Sequence, residues 1–438
     1  MSTQAEDAVE LAPEVKRSGV SYFINTYWFQ VALWKRILLA LVLGTATGLL
    51  VGEAAGQLKW MGDIFIRLIK MVVAPLVFLS IVSGIAGMGD PKRLGSIGFK
   101  TLSLYVTLTM IAVMVGLLVG TIFQPGVGMD FAGARPEVIG KAPPSLGEHL
   151  IGIIPTNPIA ALAAGEIQSV IFFGILVGLG ILTIAPKADI ARRMFQAGSD
   201  VMLQIVNFIM EIAPFGVFAL MAWVMGTSGP GAFVHVLKLA AALICGCAIQ
   251  TIIVHGGLVR LVARLPALPF FRDITDAVTI AFSTSSSAAA LPVVMRVAEE
   301  NLGVSHTVAS TALPLGVTLS MDGTALYVAL LALLSAQAFG IELTLAQYVM
   351  VGLSATVVAL GMAPVPSAAL FMLAAVLQVI GLGAEQTALV VGFVLPFDRL
   401  LDMTRTITNA TSDLSVAVTV AKWERELDIE VYRAKPTI

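Results

Sequence analysis

Pro396-Phe397-Asp398-Arg399-Leu400-Leu401-Asp402-Met403-Thr404-Arg405-Thr406-Ile407-Thr408-Asn409-Ala410-Thr411-Ser412-Asp413 sets charged and amide side chains into an otherwise apolar segment near the C-terminus. A helix turns about 100° per residue, so Asp398, Asp402, Arg405, Thr406, Asn409 and Asp413 fall within an arc of roughly 100° on one face. Three carboxylates, a guanidinium and an amide on one face exceed what a helix needs to sit in lipid. Ionisable groups are costly in hydrocarbon, so such a face turns toward a water-accessible cavity and marks a substrate or ion pathway.

The rest of the chain agrees with a membrane setting. Of 438 residues, 58% are hydrophobic and 12% charged, against about 25% charged in a soluble domain. Apolar runs of about 20 residues recur from near Ile37 to near Val420, too many for a single anchor. A net charge of −2 gives no electrostatic case for nucleic acid. Cys245 and Cys247 lie two apart in one apolar run and cannot staple a fold, so they read as buried packing residues. The first 30 residues lack a basic start followed by an apolar run and a small-residue cleavage site, so no removable signal peptide is expected. Residues 21–34 are rich in aromatic side chains and read as an interfacial lead-in to the first span.

Eight candidate spans are read at about 37–55, 61–88, 99–124, 155–185, 199–226, 232–262, 303–336 and 386–420. Two segments break the pattern. Segment 272–297 sets Ser283-Thr284-Ser285-Ser286-Ser287 between apolar arms; segment 345–380 does the same with Gly361-Met362-Ala363-Pro364-Val365-Pro366-Ser367. Backbone freed at membrane depth must be satisfied by protein or water, so such tips belong where they line a cavity. Both read as re-entrant helical hairpins, with kinked ordinary spans or a Ser-rich loop as the plainer alternative. With both hairpins returning to their own side, 18 of the 26 Lys and Arg fall on the face that holds both termini, while the opposite loops hold Lys59, Arg135 and Lys141. That asymmetry puts the termini in the cytoplasm. Units 272–336 and 345–420 then form inverted repeats, an architecture of secondary transporters.

Within the seventh span, Leu313-Pro314-Leu315-Gly316-Val317-Thr318-Leu319-Ser320-Met321-Asp322-Gly323-Thr324 combines the helix-weakening Pro314, Gly316 and Gly323 with an acid. An unwound stretch exposes carbonyl oxygens, and these with the Asp322 carboxylate make a hard oxygen site suited to Na⁺. A glycine kink with Asp322 bonded to a neighbouring helix is the alternative. If Asp322, Asp398, Asp402 and Asp413 share one cavity with Arg405, its formal charge is −3. An anion enters such a cavity only with cations, so coupling to Na⁺ or H⁺ follows from the residues. Asp398, nearest the helix start, is free to pair elsewhere and lower the count.

Substrate choice is also legible. Arg405 offers a planar fork matched to a carboxylate. Asp402, one turn earlier, can hold an ammonium; Asn409, one turn later, can meet a second carboxylate. A ligand with two carboxylates and an amine fits all three, whereas a plain dicarboxylate leaves Asp402 without a partner. The alternative for Arg405 and Asp402 is an intrahelical ion pair serving stability. His149, His235, His255 and His306 are scattered without metal-ligand spacing and read as surface or packing residues. Asn157-Pro158-Ile159 reads as a helix start, Asp273 and Asp276 as the opening of the first hairpin arm. Glu211, beside Pro214, has no role fixed by sequence.

These residues resemble the dicarboxylate/amino acid:cation symporter family, which includes archaeal aspartate transporters and animal excitatory amino acid transporters. The likeness runs from Arg67-Leu68-Ile69-Lys70-Met71-Val72-Val73-Ala74-Pro75-Leu76-Val77-Phe78 to Ala421-Lys422-Trp423-Glu424. It rests on the serine tip at 283–287, Met321-Asp322-Gly323-Thr324, Val365-Pro366, and the run from Asp402 to Asp413. The resemblance implies an all-α polytopic membrane protein with eight transmembrane helices and two re-entrant hairpins, working as an elevator-type transporter in a homotrimer. It implies an interfacial N-terminal segment (1–36), a scaffold (37–98 and 125–226), a transport domain (99–124 and 227–420) and a cytoplasmic tail (421–438).

Carried over by position, Arg405 and Thr324 would hold the substrate's side-chain carboxylate. Asp402, assisted by Thr406, would take its amine. Asn409 and the backbone at Ser286 and Ser287 would take the α-carboxylate, with Val365 in the lid. One sodium would use Asp413 with carbonyls at Gly316, Ser320 and Asn409. A second would use carbonyls at Thr318, Ala359, Leu360 and Met362, and a third Asp322, Tyr105 and Thr109. The chain departs from the family pattern at several points. Ser320 stands where Asn is usual and Leu108 where Thr is usual, both in the third set. Ser285 and Met403 stand at the two positions where members place an arginine. Pro364 and Ala369 replace glycines of the second tip, which predicts a stiffer lid. The expectation is a symporter for glutamate and aspartate driven by Na⁺ or H⁺, without organic cofactor, in the inner or plasma membrane among lipid; C4-dicarboxylate uptake is the alternative. A membrane hydrolase finds no Gly-x-Ser-x-Gly elbow in the sequence, and the serine tip has no nearby histidine.

Overall fold

The structure, a computed structural model, describes residues 31–87, 91–129, 147, 151–184, 187–362 and 367–435. Among these residues every regular element is helical, with one isolated bridge between Val304 and Leu427. Among the described residues, five stretches are long and apolar enough to cross a membrane.

The first apolar run forms α1 (Leu33–Val51) and, after a 3-10 segment (Gly52–Leu58), α2 (Lys59–Ala86). Next come α3 (Pro91–Phe123), α4 (Pro158–Ala164), α5 (Ile167–Thr183) and α6 (Asp189–Ser228). The expected span 155–185 is therefore two helices. Asn157 starts α4 by accepting from the Ile159 and Ala160 amides at 3.0 and 3.1 Å, and Gly165, with φ +70°, ends it. α7 (Gly231–Ala248) continues into π-helical stretches at Ile249–His255 and Leu258–Val262.

After α8 (Ala267–Asp273), the serine-tipped segment forms two short antiparallel arms, α9 (Thr275–Thr284) and α10 (Ser287–Arg296). Ser285 adopts a left-handed turn at φ +52°, and Ser286 caps α10 by accepting from the Ala289 amide. The tip is thus made by serines that satisfy local backbone groups. α11 (His306–Leu319) and α12 (Asp322–Ala338) are separated by extended backbone at Ser320 and Met321, the predicted unwound stretch. The second broken segment gives α13 (Leu345–Leu360), opened by a Thr344/Gln347 capping box, and α14 (Ala368–Leu377). α15 (Ala384–Glu424) carries the polar stripe over 41 residues, and α16 (Ile429–Arg433) ends the described chain.

Two packing groups result. α1, α2, α5 and α6 pack on one another, and α3 and α7 pack with α11 to α15. Glu211 finds a partner here: Arg36 of α1 donates to both its oxygens at 2.6 and 3.2 Å, fastening α1 to α6. α12 is buried on every side from Asp322 to Ala336, as expected of a helix apolar all round. It lies against α3, α13, α14 and α15, so its polar start is held deep in the second group.

Candidate substrate and cation site

The middle of α15 faces three breaks in the helical structure: the α9–α10 tip, the α11–α12 gap and the end of the α13–α14 hairpin. Asp398, Asp402, Arg405, Thr406, Asn409 and Asp413 are all buried, at 4% exposure or less. The stripe therefore faces the protein interior.

Arg405 is the centre of the upper cluster. Its guanidinium lies 4.4 Å over the Tyr327 ring. Nη1 donates to Asp398 at 3.0 Å, and Nη2 is 2.8 Å from Asp402 Oδ1. Tyr327 donates its hydroxyl to the same Asp398 oxygen at 3.0 Å. Asp402 accepts at its other oxygen from the Ser367 amide, 3.1 Å away at the start of α14. The second hairpin is thereby latched to the carboxylate expected to hold the substrate amine. Thr406 spends its hydroxyl on the Asp402 carbonyl at 2.7 Å.

Asn409 joins α15 to the start of α12. Its Oδ1 accepts from the Gly323 amide at 2.9 Å and its Nδ2 donates to Thr324 Oγ at 3.2 Å. One amide proton of Asn409 and the hydroxyl proton of Thr324 are left for another acceptor. Gly323 makes this approach possible, because a Cβ there would overlap the Arg405 carbonyl. Ser287 is buried as the first residue of α10, and Ser286 precedes it as the cap. Val365 lies outside the described residues, as do Ala363, Pro364 and Pro366.

The cation-ligand candidates divide. Asp413 Oδ1 is buried without a hydrogen-bond partner, directly over Gly316: a Cβ on Gly316 would overlap both that oxygen and the Tyr105 hydroxyl. A carboxylate oxygen without a donor beside a bare backbone is a fitting receptor for a hard cation. Thr318 turns its hydroxyl back on the Pro314 and Leu315 carbonyls and packs near Gly84 of α2. Ala359 and Met362 are buried at the end of α13, and Leu360 is half-buried.

Asp322 is already crowded. Thr109 and Ser320 donate to Oδ1 at 2.9 and 3.4 Å; Ser412 and Gln250 donate to Oδ2 at 3.0 and 3.2 Å. The hydroxyls can rotate to offer lone pairs to a cation, but the Gln250 amide cannot. Tyr105 donates its hydroxyl to the Ala312 carbonyl at 3.0 Å. Of the three expected cation sets, the one on Asp413 fits best and the one on Asp322 least.

Sequence reasoning passes over four residues here: Tyr327, Gln250, His255 and Arg399. His255 is wholly buried, with Nδ1 3.1 Å from Ser415 Oγ and Nε2 3.3 Å from Asp322 Oδ2. It is a packing residue in the sense expected, yet it packs on an acid of the site. Gln250 and His255 are five apart, which on an α-helix separates their faces. In the π-helical stretch, i→i+5 hydrogen bonding brings them together. Ser415, His255 and Asp322 have the connectivity of a hydrolytic triad, but all three are 0% exposed and no substrate can reach the serine. Arg399 is buried beside the stripe, so the expected count of one guanidinium against four carboxylates becomes two against four, a formal charge of −2.

A sequence model described as the sodium:dicarboxylate symporter family matches residues 33–423. The chain is 34% identical over 400 residues to a Bacillus subtilis protein named proton/sodium-glutamate symport protein, covering 89% of this chain and 92% of that one. It is 32% identical over 415 residues to the proton/glutamate-aspartate symporter of Escherichia coli, covering 90% and 93%. It is also 33% identical over 410 residues to a C4-dicarboxylate transport protein of Bradyrhizobium diazoefficiens, covering 92% and 90%.

Proposed function

From the premise that this chain belongs to the sodium:dicarboxylate symporter family, and is thus an integral membrane transporter rather than an enzyme, we propose that it imports L-glutamate and L-aspartate together with cations. The observation that carries this reading is the Arg405–Asp402 pair with the Ser367 amide closing on Asp402. A zwitterionic substrate can enter that pair by exchange. Its carboxylate takes the Arg405 fork, and its ammonium takes the Asp402 oxygen that Arg405 releases. No buried charge is stranded at either end. Thr324 and Arg405 then hold the side-chain carboxylate. Thr406 supports Asp402, and Asn409 with the backbone at Ser286 and Ser287 faces the α-carboxylate. Val365 belongs to the lid.

Cations complete the balance. The Asp413 oxygen with the carbonyls of Gly316, Ser320 and Asn409 is the leading Na⁺ receptor, and the carbonyls at Thr318, Ala359, Leu360 and Met362 form a second. Asp322, Tyr105 and Thr109 form a third only if the Gln250 amide yields. Relatives named for both proton and sodium coupling support either ion as the driver. We further propose eight crossings, a homotrimer, and an elevator in which residues 99–124 and 227–420 slide against a scaffold of 37–98 and 125–226. The preferential packing of α1, α2, α5 and α6 on one another supports that division. The lysine and arginine asymmetry supports cytoplasmic termini in the inner or plasma membrane.

A C4-dicarboxylate reading is favoured by the relative of that name. Competition decides between them. Unlabelled L-aspartate, L-glutamate and succinate are titrated against labelled aspartate bound to the purified protein. Amino acids should displace it at concentrations at least about tenfold lower than succinate, since a dicarboxylate leaves Asp402 without a cation. Succinate competing better than aspartate overturns the amino acid reading.

A further inference from the structure

Arg399 sits three positions before Asp402 on α15 and is 8% exposed. Its Nη2 donates to the Thr284 carbonyl at 3.2 Å, at the end of the first hairpin arm. Its Nε and Nη1 are buried with no hydrogen-bond partner. No carboxylate of the described residues lies within ion-pair distance of it; the nearby Asp398 and Asp402 both make their ion pairs with Arg405. A buried guanidinium with two of its three nitrogens unpartnered is costly unless an anion arrives to meet it.

The place it occupies is suited to an anion. Thr284 is two residues before Ser286, the cap of α10, and the first amides of a helix have no partner within it. Of these, the Ala289 amide is taken by the Ser286 hydroxyl. The positive end of a ten-residue helix and the Arg399 guanidinium thus lie at the same tip.

We propose that Arg399 is a second substrate-binding guanidinium, which takes the α-carboxylate at the α10 tip while Arg405 takes the side-chain carboxylate. This rests on the acidic-substrate reading above. A pair of guanidinia with Asp402 between them matches two carboxylates and one ammonium, charge for charge. Nη2 keeps a second proton beyond the one given to Thr284, and with the unpartnered Nε or Nη1 beside it this makes the paired edge that a carboxylate accepts best.

The test compares substrate affinity with substrate-free stability in purified Arg399→Gln and Arg399→Lys. Glutamine removes the charge and, two bonds shorter, gives up the bond to the Thr284 carbonyl, whereas lysine keeps the charge. The substrate-free melting temperature should fall by no more than the loss of that single bond, while aspartate affinity drops about 10- to 100-fold. Arg399→Lys keeps the charge without the fork and should recover part of the affinity. Aspartate affinity within twofold of the parent protein in Arg399→Gln overturns the proposal. So does an affinity loss accompanied by a larger fall in melting temperature that lysine does not restore, which marks a structural tie. If Arg399→Gln does not fold, Arg399→Lys decides: a several-fold weaker affinity supports the role and an unchanged one rejects it. A parent protein that binds neither aspartate nor succinate would instead refute the acidic-substrate reading itself.

Discussion

Replacing Arg405 by cysteine leaves Asp398 and Asp402 facing each other without their shared cation. Aspartate affinity should fall at least about 100-fold, and the substrate-free protein should lose stability, because breaking a buried pair costs about 3–5 kcal/mol. Binding assays against aspartate and a neutral amino acid check this; unchanged aspartate affinity removes Arg405 from the site. Asp402→Ser separates the amine from the carboxylates. It should weaken aspartate about 10- to 100-fold while sparing succinate, and equal loss of both contradicts an amine role. The stripe is legible in sequence because an α-helix repeats every 3.6 residues and six polar positions share one arc. Arg399 escapes that count because it sits at the arc's edge, and only the position of Thr284 makes its environment visible. His255 escapes because its register is π rather than α.

At the scale of elements, the α11–α12 gap and the two hairpins are where helix is interrupted to make a site. Gly316 of α11 lies against the Asp413 side chain of α15. Gly316→Ala should drive a methyl into the Asp413 oxygen and the Tyr105 hydroxyl. In a packed interior such overpacking costs about 1–3 kcal/mol, and here it fills the leading cation receptor. The Na⁺ concentration needed for half-maximal aspartate binding should rise at least severalfold. An unchanged Na⁺ dependence argues that no cation binds there. These breaks are readable because serine runs, prolines and glycines each disfavour helix for a local reason. The division of α4 from α5 is harder to read, since Gly165 is one small residue inside an unbroken apolar run. Its left-handed turn is a property of the backbone rather than of composition.

For the whole molecule, charge is the organising constraint. Four buried aspartates face two buried arginines along one seam of the second packing group. The proposed sliding of that group and the proposed trimer cannot be read from periodicity, which reports on single helices; both are carried over from the family likeness. What the residues themselves demand is that an acidic substrate not cross alone. The direct measurement is uptake of labelled L-aspartate into liposomes holding the purified protein, with Na⁺ and pH gradients imposed separately and then together. Accumulation above equilibrium should appear only with an inward gradient of at least one cation and should collapse when both are dissipated. Accumulation that persists with neither gradient contradicts cation-coupled import.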